Sequence, residues 1–136
     1  MIVPRKHTGP NVVDSSAWLE YFADGAGAVH FASVIESVGR LVVPAICVLE
    51  VFKVVLRQRG ESDALQAVAL MQQGAVVDLD ESLALAAAKV GVEYKLPLAD
   101  SVVYATAQSV GGVVWTQDDD LEELPDVEYF RKGGKS

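Results

Sequence analysis

Four carboxylates in this sequence stand where packing gives no account of them. Asp14 closes the apolar run Asn11-Val12-Val13, and Glu50 interrupts the run from Ile46 to Phe52. Asp100 falls at the start of a segment, 98–110, that carries no other charge, and Asp118 follows Val113-Val114-Trp115-Thr116 after a single residue. Acidic side chains are rarely buried unless paired or bound to a metal. The nearby cations, Lys53, Arg57 and Lys95, are too few to neutralise four acids. Carboxylate oxygens gathered without cations suit a hard divalent ion such as Mg²⁺ or Mn²⁺. Each acid taken singly also has a plainer role open to it. Asp14 can cap a helix, Glu50 can sit on a solvated helix face, Asp100 can complement a helix N-terminus, and Asp118 can belong to a solvated acidic surface.

The elements that would position these acids alternate in type. Short, uniformly apolar runs at Asn11–Val13, Leu41–Val43, Ala75–Val77 and Val113–Thr116 read as buried strands, with Val127–Phe130 as an edge strand. Helical periodicity fills the intervals. Ser15 and Ser16 offer capping hydroxyls ahead of Trp18, Leu19 and Phe22, and Phe31, Val34, Ile35 and Val38 follow the i, i+3, i+4, i+7 spacing up to Gly39. Pro44 suits a first helical position before a stripe of Leu49, Phe52 and Leu56. Leu65, Val68 and Ala69 mark the inward face of the next helix, and Leu83, Ala86, Ala87 and Val90 that of another. This alternation predicts an α/β domain, three layers deep, around a mostly parallel sheet of four to five strands. In such sheets ligands bind beyond the carboxyl ends of the strands, which singles out Asp14 and Asp118.

Composition narrows the function classes. The chain has 136 residues, 51% of them hydrophobic, consistent with one domain over 1–136 whose ends, 1–10 and 133–136, read as loose. The single cysteine, Cys47, excludes an internal disulfide and any zinc site with several Cys ligands, and is expected to be a packed small side chain. His7 and His30 are poor candidates for a general base, and Trp18 and Phe22 read as core or dimer surface. No apolar run reaches the roughly 18 residues of a membrane span, and the opening residues lack a secretory apolar stretch, so a cytoplasmic location is expected. Eleven Lys and Arg against 19 Asp and Glu leave a net charge of −8. Seven of the acids (Asp118, Asp119, Asp120, Glu122, Glu123, Asp126 and Glu128) fall in one stretch without a cation, while Arg5, Lys6, Arg131, Lys132 and Lys135 sit at the ends. A chain with this balance meets a polyanion only through metal ions or a partner's positive charge.

The order of the four acids carries a resemblance. Val12-Val13-Asp14-Ser15-Ser16-Ala17-Trp18-Leu19, Val43-Pro44-Ala45-Ile46-Cys47-Val48-Leu49-Glu50-Val51, the segment from Leu96-Pro97 through Asp100 to Ala107, and Val114-Trp115-Thr116-Gln117-Asp118 resemble the four acidic motifs of PIN-domain ribonucleases. The likeness is greatest to the VapC toxins of VapBC toxin–antitoxin modules, and it spans about Asn11 to Phe130. The resemblance implies a metal site of Asp14, Glu50, Asp100 and Asp118, with Thr116, Ser15 and Asp120 in support. Of the run Asp118-Asp119-Asp120, Asp118 matches best. It also implies one or two Mg²⁺ or Mn²⁺ ions, an RNA substrate, a small VapB-like antitoxin and a homodimer. Lys53 and Arg57, at i+3 and i+7 from Glu50, are candidate phosphate contacts or partners of Glu50. Two rival readings are an inactive PIN-like module that binds RNA or protein, and a receiver-type phosphoacceptor switch. The second needs a Lys after a late strand, which Trp115-Thr116-Gln117-Asp118 does not offer.

Overall fold

The strands come first because everything else hangs from them. In the computed structural model, which describes residues 9–133, the strands are β1 (Asn11–Val13), β2 (Leu41–Pro44), β3 (Ala75–Val77), β4 (Val113–Thr116) and β5 (Val127–Tyr129). They form one sheet in the order β3-β2-β1-β4-β5, and every pairing is parallel. Parallel neighbours need long crossovers, and the helices supply them. α1 (Ser15–Phe22) and α2 (Ala28–Glu36) lead from β1 to β2, α3 (Ala45–Arg59) and α4 (Glu61–Met71) from β2 to β3, and α5 (Glu81–Tyr94) and α6 (Leu98–Ser109) from β3 to β4. Right-handed crossovers therefore carry α1–α4 along one face of the sheet and bring α5 and α6 back over the other. The expected three-layer α/β fold is what forms, with the parallel sheet complete at five strands. The β4–β5 link has no α-helix; a 3₁₀ turn over Asp119–Leu121, with Leu121 fully buried, spans it instead.

The chain leaves β1 toward β2 on one side and later returns to the other side as β4. That reversal makes the carboxyl edge between β1 and β4 the topological switch point of the sheet. Register fixes what meets there. Val13 lies opposite Trp115, so one step further along both strands Asp14 comes abreast of Thr116.

The core runs through the sheet and both layers, with Trp18, Phe31, Val43, Val51, Met71 and Val114 among its fully buried side chains. Every residue of α6 from Asp100 to Ala107 is buried, which makes this the central helix and explains its lack of other charges. Gly60, at φ 95, turns α3 directly into α4 in a left-handed conformation that glycine adopts without penalty.

Several helix faces differ from the sequence pattern. On α3 the buried residues are Cys47, Val51 and Val55, whereas Leu49 and Leu56 of the expected stripe are 62% and 42% exposed. On α4 it is Ala64, Ala67 and Met71 that face inward and Leu65 that faces out. The two helices pack closely against each other, and small side chains at the contact allow that approach, which displaces the leucines to the surface. Ala86 of α5 is exposed while Leu83, Ala87 and Val90 are buried as expected. Pro44 ends β2 and precedes α3 rather than opening it. β3, an edge strand, is largely exposed despite its apolar sequence. Of the expected loose ends, residues 1–8 and 134–136 lie outside the described residues, while Pro10 already accepts a hydrogen bond from Val113. Among the described residues no helix is long and apolar enough to cross a membrane.

Candidate metal centre

Asp14 is the best-anchored of the acids. It caps α1 in extended conformation at φ −82 and ψ 173, so the capping role and a role at the strand end are filled by the same residue; the hydroxyls of Ser15 and Ser16 do not cap. Its Oδ1 accepts from the Ala17 amide at 3.1 Å and from Ser16 Oγ at 2.7 Å, and its Oδ2 accepts from Thr116 Oγ1 at 2.6 Å. Burial nevertheless dominates and lifts its pKa from 3.8 to about 6, with the charge of Asp118 adding to the rise and the hydrogen bonds opposing it.

Asp118 reaches the same place from β4. Its backbone N–H donates to Thr116 Oγ1 at 2.8 Å, and its Oδ1 accepts from the Asp120 amide at 2.9 Å, capping the 3₁₀ turn. Asp100 arrives from the first turn of α6, 7% exposed, with Oδ2 buried and lacking a hydrogen-bond partner among the described residues. Its pKa is raised to about 8, first by burial, then by the Asp118 carboxylate beside it and by the charges of Asp14 and Asp120. Oxygens of Asp14, Asp100 and Asp118 all lie within 4.8 Å of one another. Three elements distant in sequence thus deliver three carboxylates to the switch point.

Glu50 does not join this group. It is half-buried on α3, where its Oε1 accepts from Ser15 Oγ at 2.5 Å. Ser15 therefore supports Glu50 rather than Asp14. Asp120, exposed, forms a second close group with Asp118 and Asp119, and Asp118 is the member of that run that faces Asp14 and Asp100. Lys53 and Arg57 are exposed on α3 and have no carboxylate partner among the described residues. Cys47 is fully buried beside Ser15, and burial raises its thiol pKa, so it is a packed side chain without thiolate character.

Two residues join the site in roles that the sequence reading did not give them. Ser16 Oγ donates to Asp14 and accepts from the Gln117 amide at 3.1 Å, fastening α1 to the end of β4. Gln117, 6% exposed, lies against Gly27, where a Cβ would stand 2.5 Å from its Oε1. The signal for Ser16 is its position two residues after a strand-ending acid, where a hydroxyl at a helix start reaches back to the cap.

The donor set fits a hard divalent cation. All the converging groups are oxygens, no Lys or Arg pairs with them among the described residues, and a buried carboxylate oxygen on Asp100 is left without a partner. Unbalanced acids at such distances raise one another's pKa, as Asp100 and Asp14 register.

With fold and site in hand, the comparisons define the class. The PIN domain family model matches residues 12–127, and the chain belongs to that family. Among solved structures, similar folds occur in a toxin–antitoxin complex from Klebsiella pneumoniae (TM-score 0.72, 18% identity, covering 89% of this chain and 98% of that one). A DNA-bound VapBC from Salmonella typhimurium is alike at TM-score 0.71 and 16% identity, over 91% and 98% of the two chains. VapC20 of Mycobacterium tuberculosis, described as a sarcin-ricin-loop-cleaving toxin, follows at TM-score 0.67 and 18% identity, over 86% and 98%. A comparison with curated protein sequences gives no match. The fold is thus that of VapC toxins, as the acidic motifs led one to expect.

Proposed function

We propose that this chain, read as one PIN domain over 1–136, is a Mg²⁺- or Mn²⁺-dependent endoribonuclease and the toxin of a VapBC-type module. The observation that carries the reading is the convergence of Asp14, Asp100 and Asp118 at the switch point without a cation. PIN-family membership supports it. Asp14, Asp100 and Asp118 would hold one or two ions, with Glu50 reaching the outer sphere through its place beside Ser15. An ion bound there would acidify a water to serve as nucleophile and neutralise charge on the scissile phosphate. The chain's own residues prepare that step. Thr116 and Ser16 orient the Asp14 carboxylate, and the β4 backbone, through Thr116, sets the position of Asp118. An anionic strand meets an acidic pocket only once metal has reversed its charge, so substrate binding is coupled to metal binding.

A VapB-like antitoxin is the partner this reading implies, its Arg or Lys reaching the carboxylates that lack a cation. A homodimer is the second, and the exposed Leu49, Leu85, Val92 and Leu98 offer apolar surface for it. Action on RNA in the cytoplasm follows from the same reading. The rival of an inactive binding module is answered by activity; the receiver-type switch finds Gln117 and Asp118, not a lysine, directly after β4, and the family match is to PIN domains instead.

Purified protein should cleave RNA with Mg²⁺ or Mn²⁺ and stop in EDTA, and Asp14→Asn or Asp100→Asn should remove most of the activity while the protein stays folded. Full cleavage in EDTA would overturn the metal mechanism, and none with any divalent ion would favour the binding module.

A further inference from the structure

Resting on the nuclease reading, we infer that Arg131 and Lys132, delivered by β5 to the edge that carries Asp118, bind the RNA phosphates flanking the one that is cut. The topology is the first reason. β5 runs parallel to β4 with Thr116 opposite Tyr129, and the Phe130 amide donates to the Thr116 carbonyl at 2.9 Å. Continuing that register brings Arg131 abreast of Asp118. Whatever follows β5 therefore leaves the sheet at the same carboxyl edge as the metal-binding acids.

The second reason is the cleft found there. A cavity of about 560 Å³ is lined by Tyr129, Arg131 and Lys132 together with Ser16 and the acids Asp118, Asp119 and Glu122. Two cations and an aromatic ring thus share one cleft with Asp118 of the acidic cluster. A single-stranded nucleic acid is held by this combination of backbone cations and a stacking surface. A neighbouring cavity of about 590 Å³ shares Ser16, Gln117 and Lys132 with the first and continues over Leu19, Phe22 and Leu70, so the strand has a path beyond the site of cleavage.

Charge is the third reason. In a chain of net −8, a polyanion needs local cations wherever metal does not reach. Arg131 and Lys132 are exposed and have no carboxylate partner among the described residues, so their charge is available to a ligand. Lys53 and Arg57, the pair suggested by helical spacing, line neither cleft.

The test measures binding of a fluorescein-labelled single-stranded RNA at several salt concentrations in Ca²⁺, alongside steady-state cleavage in Mg²⁺. Two cations lost from a single-strand site should flatten the log–log salt slope by about 1.4 units. Arg131→Ala/Lys132→Ala is expected to show this loss and a KM for RNA raised about tenfold or more. Its kcat should fall less, and the Mg²⁺ concentration for half-maximal activity should not move. Arg131→Lys/Lys132→Arg should keep the slope. Both side chains being exposed, the melting temperature checks that the fold is untouched. A wild-type slope and KM in the double Ala variant would overturn the proposal, as would transfer of the whole effect to Lys53→Ala/Arg57→Ala. A hexaglutamate peptide whose binding is lost while RNA binding is unaffected would overturn it too, and would assign the cleft to an acidic protein segment. If wild type binds RNA with the expected slope but never cleaves it, the cleft assignment stands and the nuclease reading fails.

Discussion

Thr116 Oγ1 lies 2.6 Å from Asp14 Oδ2, joining residues 102 positions apart, and the same oxygen accepts the Asp118 amide at 2.8 Å. A hydroxyl has one proton to give and lone pairs to receive. Here the proton goes to one acid of the converging group and a lone pair to the backbone of another. Thr116 is fully buried, so water cannot replace it.

Thr116→Val keeps the shape and removes both bonds, leaving an unpaired oxygen on Asp14 and an unpaired N–H at Asp118. The cost in stability should be about 1–3 kcal/mol. Residues that orient a metal ligand typically carry about 10–100-fold of metal affinity or activity, and a loss of that size is expected in Mg²⁺-dependent RNA cleavage. Thr116→Ser should recover most of it. Wild-type Mg²⁺ dependence in Thr116→Val would reduce the hydroxyl to a packing role.

Glu50 should prove the mildest of the four motif acids. It stands outside the group of carboxylates within 4.8 Å of one another and spends Oε1 on Ser15. Glu50→Gln should lower cleavage about tenfold, well short of the loss in Asp14→Asn and Asp100→Asn. Initial rates at saturating Mg²⁺ decide the matter. Equal inactivity of Glu50→Gln and Asp100→Asn would mean that Glu50 closes onto the ion directly when metal and RNA are bound.

Asp14 and Asp118 were legible in the sequence because strand ends are marked by the abrupt change from apolar to polar residues, whereas Thr116 was marked only by the resemblance to the family's motif. The parallel α/β architecture was legible for the same reason, through its short apolar runs. Side-chain phase on α3 was not. From Ala45 to Leu56 only Glu50 and Lys53 are polar, so a 3.6-residue period can be drawn through Leu49 and Leu56 as readily as through Cys47, Val51 and Val55. Close packing against α4 selects the smaller set. β3 reads as a buried strand but lies at an edge, and no local pattern distinguishes the two. Arg131 and Lys132 look like the charged end of the chain until the register of β5 against β4 is known. Convergence of Asp100 with Asp14, and the separation of Glu50 from both, are tertiary facts that spacing along the chain does not encode.

The toxin reading predicts a cellular effect. Expression of the chain alone in a bacterial host should arrest growth, Asp14→Asn should not, and co-expression of a small cognate protein should relieve the arrest. Growth curves after induction, with protein levels matched, provide the measurement. Wild type and Asp14→Asn equally harmless would remove the toxin assignment while leaving nuclease activity in vitro to be judged on its own.

The last prediction follows from the raised acids. Asp14 and Asp100 titrate at about 6 and about 8 in the folded protein, against 3.8 for an ordinary Asp. Between those limits the folded chain retains protons that the unfolded chain has released. Without metal, their contribution to stability is therefore complete below about pH 4 and is lost as pH rises to about 8, by up to about 1.4 kcal/mol per pH unit for each group. Metal binds the ionised carboxylates, so Mg²⁺ should stabilise the protein little at about pH 5 and increasingly above it. Asp100→Asn removes one titrating group and one charge from the cluster. Its metal-free melting temperature should exceed that of wild type above about pH 8 and change less with pH, and its response to Mg²⁺ should be smaller. Thermal unfolding followed by circular dichroism from about pH 5 to about pH 9, in EDTA and in excess Mg²⁺, tests all three. A metal-free curve as steep for Asp100→Asn as for wild type would place the raised titration on another member of the cluster. A lower melting temperature for the variant at every pH would mean that Asp100 is held by a structural partner rather than strained by its neighbours.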